Sequence, residues 1–215
     1  MQSLKPLCRQ LALAALVALA GTGNTMAVEE AEYTVVLEDK PFELRHYAPH
    51  ILAETVVEGD FEGAGSKAFR RLFNYISGSN TSRESLDMTS PVGQQSGGEK
   101  IDMTSPVGQR RVEDRWVVSF MMPAAYSMET LPKPEDPAVN LRQVPARFMA
   151  AVRYSGFWSE ERYQQHREKL AAWIAGQSLT VVGEPVWARY DPPFMPWFMR
   201  RNEILVPVLD PSNSQ

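Results

Sequence analysis

Phe61–Gly78 reads FEGAGSKAFRRLFNYISG, and Ser159–Gly176 reads SEERYQQHREKLAAWIAG. In the first, Phe61, Ala64, Ala68, Phe69, Leu72, Phe73 and Ile76 recur at steps of three and four, the spacing of one buried helix face. Asp60 is the expected N-cap and Gly78 the expected stop. In the second, Tyr163, Leu170, Trp173 and Ile174 share a face. Ser159 opens that helix, acids fill its first turn and Gly176 closes it. The helix ends NYISG (74–78) and AWIAG (172–176) align at an offset of 98 residues.

Strand patterns flank both helices. Phe42, Leu44 and His46 alternate with Glu43, Arg45 and Tyr47, and Ile51, Ala53, Thr55 and Val57 keep the period of two. Trp116, Val118 and Phe120 alternate likewise, as do Phe148, Ala150 and Val152. Leu179–Val182, Val186–Tyr190 and Glu203–Val208 complete the set. Pro123–Pro145, with five prolines, reads as a linker. The fold class is therefore α+β. Two similar halves, about 33–123 and 140–208, each run strand, helix, two strands, a pseudo-twofold βαββ repeat that puts two long helices against one antiparallel sheet.

The N-terminus is of another kind. Lys5 and Arg9 precede the apolar run Leu11–Ala20, and Thr25-Met26-Ala27 is a small-x-small site. Residues 1–27 have the pattern of a secretory signal peptide and lead into a single domain over 28–210. Export to the periplasm or beyond is the expectation. With those residues set aside, 20 Lys+Arg (22 less Lys5 and Arg9) face 26 Asp+Glu, a net charge of about −6. That balance argues against nucleic acid as a partner. The single cysteine, Cys8, lies in the leader, which excludes a disulfide, a thiolate ligand or CxxCH haem attachment in the mature chain.

Five stretches, in order, resemble the SOUL haem-binding protein family: FELRHY (42–47), LFNYISGSN (72–80), MTSPV, VVSFMMP (117–123) and YDPPFMPWFMRRNE (190–203). The resemblance implies a distorted antiparallel β-barrel or sheet carrying two helices, shared with gyrase-inhibitor-like effector-binding domains. It also implies non-covalent binding of haem or a related tetrapyrrole, for carriage or buffering.

The candidate site residues follow. His46, on the strand face with Phe42 and Leu44, is the candidate axial ligand, because neutral imidazole is the usual protein ligand of haem iron. His50, after Pro49, is expected on a turn, and His166 beside the stripe of the second helix. Phe69, Leu72, Phe73 and Ile76 could wall a porphyrin pocket, with Arg70 and Arg71 reaching its propionates; the alternative is a helix stripe that is simply core. The stiff apolar run Phe194–Met199, with Trp197 inside it and Arg200 beside it, suits a lid over a flat ligand, a cover on the sheet or a contact with a membrane surface. Arg200 or Arg201 could pair with Glu203 to anchor the last strand. Glu203 or Asp191 as acid/base would make the protein an enzyme on tetrapyrroles or small electrophiles. No nucleophile elbow or phosphate loop supports that reading.

One repeat remains. LDMTSPVGQ (86–94) recurs as IDMTSPVGQ (101–109) around Ser96-Gly97-Gly98. A hairpin there would place Met88 and Met103 roughly 13 Å apart at about 3.3 Å per residue, too far to share one metal. Either copy could lie at a pocket mouth and bring a methionine to the ligand.

Overall fold

The computed structural model describes residues 28–82 and 98–213. The leader, the first MTSPV copy with Met88, and the turn at 96–97 lie outside the described residues. Strands β1 (Tyr33–Asp39), β2 (Phe42–Tyr47) and β3 (His50–Val57) precede helix α1 (Phe61–Ile76). β4 (Asn80–Thr81), β5 (Val107–Val112), β6 (Arg115–Met121), β7 (Lys133–Pro134), β8 (Val139–Val144) and β9 (Arg147–Tyr154) lead to α2 (Glu160–Gly176). β10 (Val186–Arg189) and β11 (Asn202–Val208) close the chain. No helix among the described residues is long and apolar enough to cross a membrane.

Nine strands form one antiparallel sheet in the order β1-β2-β9-β11-β10-β5-β6-β3-β8. Setting β1 aside, exchanging β2 with β8, β3 with β9, β5 with β10 and β6 with β11 returns the same order reversed. The expected pseudo-twofold is therefore present, with its axis between β5 and β10. Each half holds two strands, a helix and two more strands, one strand more than the sequence pattern implies. The extra strand of the second half is β8, inside the proline-rich stretch read as a linker. Its six residues hold no proline, and the prolines fall at its flanks, where no ladder bond is lost. Leu179–Val182 does not form a strand; only Val181 bridges to Val208.

Both helices lie on one face of the sheet. α1 packs on β3, β6 and β8, and α2 on β9 and β11. Asp60 Oδ1 accepts the Gly63 N–H at 2.7 Å, satisfying a donor that the first helical turn leaves open. Ser159 caps α2 in the same way. Phe61, Ala64, Ala68, Leu72, Tyr75 and Ile76 of α1 are buried with Tyr163, Leu170, Trp173 and Ile174 of α2. Phe69 and Phe73, expected on the buried stripe of α1, lie at its margin, 37% and 45% exposed. Tyr75 takes the inward position instead, with its hydroxyl donating to Pro132 O at 2.9 Å.

Strand alternation sends the other residues to the opposite face. Leu44, Ile51, Ala53, Val118, Phe120, Ala150, Val152, Ile204 and Val206 meet the helices. Tyr47, Met149, Ala151, Ala188 and Leu205 form a second, smaller apolar cluster on the helix-free face.

Candidate functional site

The helix-free face is concave. Leu52 of β3 and Met149 of β9 stand five positions apart in strand order, yet they line one groove, so the sheet curls until its two halves face each other. The groove straddles the pseudo-axis. β3 and β6 supply Leu52, Ser119 and Met121 on one side; β9, β10 and β11 supply Met149, Val186, Ala188 and Leu205 on the other. Its enclosed part measures about 70 Å³, within about 590 Å³ counted out to the open mouth. At the centre sits Gly108. A Cβ there would lie 2.7 Å from Ser119 Oγ and 3.3 Å from Val186, so the missing side chain keeps the floor open. The second MTSPV copy borders this space. Pro106 and Gly108 line it, and Ser105 Oγ donates to Tyr190 O at 3.3 Å.

One wall is a buried charge network. Glu203 Oε2 accepts from Arg45 Nη1 at 2.6 Å and Tyr190 Oη at 2.9 Å; Oε1 accepts from Arg45 Nη2 at 3.2 Å and Arg201 Nε at 2.9 Å. Arg201 reaches on to Glu30, and the Arg45 guanidinium covers the Tyr33 ring at 4.4 Å. Burial alone would raise the Glu203 pKa, but the hydrogen bond and charge of Arg45, with those of Arg201, outweigh it and hold it below the usual range. Burial first of all pushes the neighbouring Tyr47 up to about 12 and raises Tyr190 well above its ordinary value. Tyr47 and Tyr190 also face the groove.

The rim carries His50 and Arg147. His50 opens β3 rather than sitting on a turn. Arg147 opens β9 opposite Tyr47, and its Nε is buried without a hydrogen-bond partner. Glu54 lies on the same face. It takes two hydrogen bonds from Arg142, at 2.8 and 2.7 Å, and stands 3.6 Å from Arg110.

None of His46, Phe69, Arg70, Leu72, Phe73, Met103, Trp197 and Arg200, singled out from the sequence, lines this groove. His46 is half-buried on the helix-bearing face, tilted against Phe148 at 4.7 Å between ring centres. Leu72 is fully buried between α1 and the sheet, Phe69 and Phe73 lie at the margin of that packing, with Phe69 edge-on to Phe120 at 5.2 Å, and Arg70 is exposed. Met103 is 40% exposed. Trp197 stacks on Phe157 at 5.1 Å. Arg200 donates to Met195 O and Pro193 O, which braces the proline-rich loop. Arg201, not Arg200, anchors Glu203. The acid/base role considered for Glu203 does not fit its setting: it is 0% exposed, ionised and engaged in four hydrogen bonds. Asp191 is engaged too, accepting the Arg201 N–H at 2.5 Å.

Sequence reasoning passed over Tyr47, Arg147 and the groove position of His50. Strand parity carried a signal for Tyr47, which alternates with Leu44 and so lies on the other face. Nothing in the order of residues shows that this second face is hollow.

The chain resembles the C-terminal domain of EcmrR, with TM-score 0.51 and 13% identity over 82% of this chain and 97% of that one. It resembles a hydrolase from Listeria innocua to a similar degree, with TM-score 0.53 and 12% identity over 80% and 94%. At such identities the likeness is one of fold. In sequence it is 26% identical, over 164 residues, to Heme-binding protein 1 of Xenopus tropicalis, covering 76% of this chain and 81% of that protein. The model of the SOUL heme-binding proteins matches residues 28–207, essentially all that the curled sheet and its two helices comprise, and the chain belongs to that family.

Proposed function

We propose that this protein binds haem or a related tetrapyrrole without a covalent bond, in the groove of the helix-free face, and acts as a carrier or buffer. Family membership supports the ligand class. The observation that carries the location is the orphaned Arg147 Nε at the rim of an apolar groove. The residues present fit one edge of a haem group: an apolar groove for a substituent with the macrocycle across its open mouth, a guanidinium with an unsatisfied Nε for a propionate, and an imidazole for iron. Haem would supply iron and its redox and ligand chemistry; the chain supplies desolvation, orientation and a counter-charge. Titration of haem into the purified protein, followed at the Soret band, tests the reading. It predicts a saturable shift at micromolar protein, and a flat titration sinks it.

The leader-like residues 1–27 support an exported carrier. Its testable form is processing after Ala27, read as a secreted chain whose intact mass begins at Val28.

A second reading concerns the far loop. Phe157, Phe194, Trp197, Phe198 and Met199 are 55%, 85%, 47%, 61% and 62% exposed, an unusual concentration of apolar side chains in water. Such a patch suits the interfacial region of a lipid bilayer, where aromatic rings are favoured. Sedimentation with phosphatidylglycerol vesicles that disappears in Trp197→Ala supports it; sedimentation unchanged in that variant rejects it.

A further inference from the structure

Two rim side chains have an arrangement that the packing of the fold does not require. The first is His50. Its Nδ1 lies 2.9 Å from Ala48 O, and a carbonyl oxygen only accepts, so Nδ1 carries the hydrogen. In the neutral ring the lone pair is then on Nε2. A backbone carbonyl on Nδ1 is the contact that fixes the tautomer and ring orientation of metal-binding histidines. His46 lacks this setting. It lies against Phe148 on the face that carries the helices.

The second is Arg147. Arg142 and Arg110 are near enough to depress its pKa, after the larger effect of burial. The local carboxylate, Glu54, is already shared between Arg142 and Arg110. Three guanidinia thus gather around one carboxylate. A partly buried guanidinium with an unsatisfied N–H is destabilising until an anion meets it. Carboxylate is the planar oxyanion whose geometry matches its fork.

We infer that the groove takes an iron tetrapyrrole through two polar contacts, with His50 Nε2 as the protein ligand to iron and Arg147 as the anchor of a peripheral carboxylate. This assignment rests on the tetrapyrrole reading above. It replaces His46 as ligand and moves the carboxylate contact from α1 to the start of β9. The enclosed 70 Å³ admits an edge substituent, with the macrocycle lying across the open mouth of the groove.

The test uses the purified protein with three probes: ferric haem, iron-free protoporphyrin IX and haem dimethyl ester. Wild type gives the absorption and electron paramagnetic resonance spectra of imidazole-ligated iron. His50→Ala and His50→Gln lose that signature, regain it on adding free imidazole, and bind protoporphyrin IX within about threefold of wild type. His46→Ala keeps the wild-type spectrum. Arg147→Gln weakens haem and protoporphyrin IX by about tenfold, the scale of one charge-assisted hydrogen bond, and leaves the dimethyl ester unchanged. Unchanged spectra in both His50 variants, or loss of the signature in His46→Ala, overturn the iron assignment. An equal loss for acid and ester in Arg147→Gln overturns the carboxylate assignment. A wild type that binds no haem removes the tetrapyrrole reading itself, an outcome distinct from either.

Discussion

Arg45 grips Glu203 across an intervening strand. Nη1 lies 2.6 Å from Oε2, although β9 runs between β2 and β11. The two side chains are 2% and 0% exposed. They meet over β9, where Arg45 pairs with Met149 and Glu203 with Arg153. The residue between those two on the same face is Ala151, whose small side chain leaves the passage open.

Glu203→Leu should be strongly destabilising. It removes the acceptor of Tyr190 and the buried carboxylate shared by both arginines, leaving Arg201 with Glu30 and Arg45, charged inside the sheet, with the half-buried Glu43. The cost of breaking a buried pair from one side is about 3–5 kcal/mol. Urea unfolding with an unchanged slope and a lowered midpoint would report it; a change below about 1 kcal/mol would contradict the assignment.

The same pair sets an acid limit. The pKa of folded Glu203 is depressed, so protons bind the unfolded chain more readily than the native one. Its stabilisation is complete above the ordinary carboxylate value of about 4.3 and is lost as pH falls further, through the depressed folded value. Thermal melts should be flat in this respect from pH 7 to 5 and should drop below pH 4. Glu203→Gln should lessen that drop.

Asn80 fastens the end of α1 to the chain entering β5. Its Nδ2 donates to Tyr75 O and Glu99 O, at 2.7 and 2.8 Å, and its Oδ1 accepts from Glu99 N at 2.9 Å. Asn80→Ala removes all three bonds, leaving Tyr75 O its helix-end partner Gly78 N–H, and should cost roughly 2 kcal/mol. Hydrogen exchange should quicken first at the C-terminal turn of α1.

Helix α1 distinguishes packing from binding. Leu72→Ala should destabilise by about 2–5 kcal/mol, because Leu72 is fully buried. Phe73→Ala, half exposed, should stay within about 1 kcal/mol. Neither should alter haem affinity more than about twofold at a temperature where both are folded, since the sheet separates α1 from the groove. A tenfold loss in Phe73→Ala would instead place the ligand on the helix side.

Periodicity explains how much of this was legible from the residues alone. The helix stripes and the alternation of β2, β3, β6 and β9 record burial on one side, and α2 buries the four residues its spacing picks out. The groove was not legible because β2 is enclosed on both sides. Leu44 and Arg45 are adjacent and both buried, so alternation names two interiors without saying which is hollow. The Arg45–Glu203 bond spans 158 positions, and no local pattern encodes such a partner. β8 was hidden because its prolines lie at the ends, where they read as linker composition. Arg200 stood out beside the Trp197 loop because one-dimensional order cannot show that it is spent on bracing that loop.

The exchange of outer strands between halves has a consequence for how the chain can be divided. β2 completes the second half beside β9, and β8 completes the first beside β3. A cut within Pro123–Pro132 would leave β8 on the second fragment and β2 on the first, so each fragment would hold a rib belonging to the other. Neither should fold alone. Mixed in solution, the two should reassemble by mutual insertion, and at high concentration whole chains could trade these strands and yield intertwined dimers.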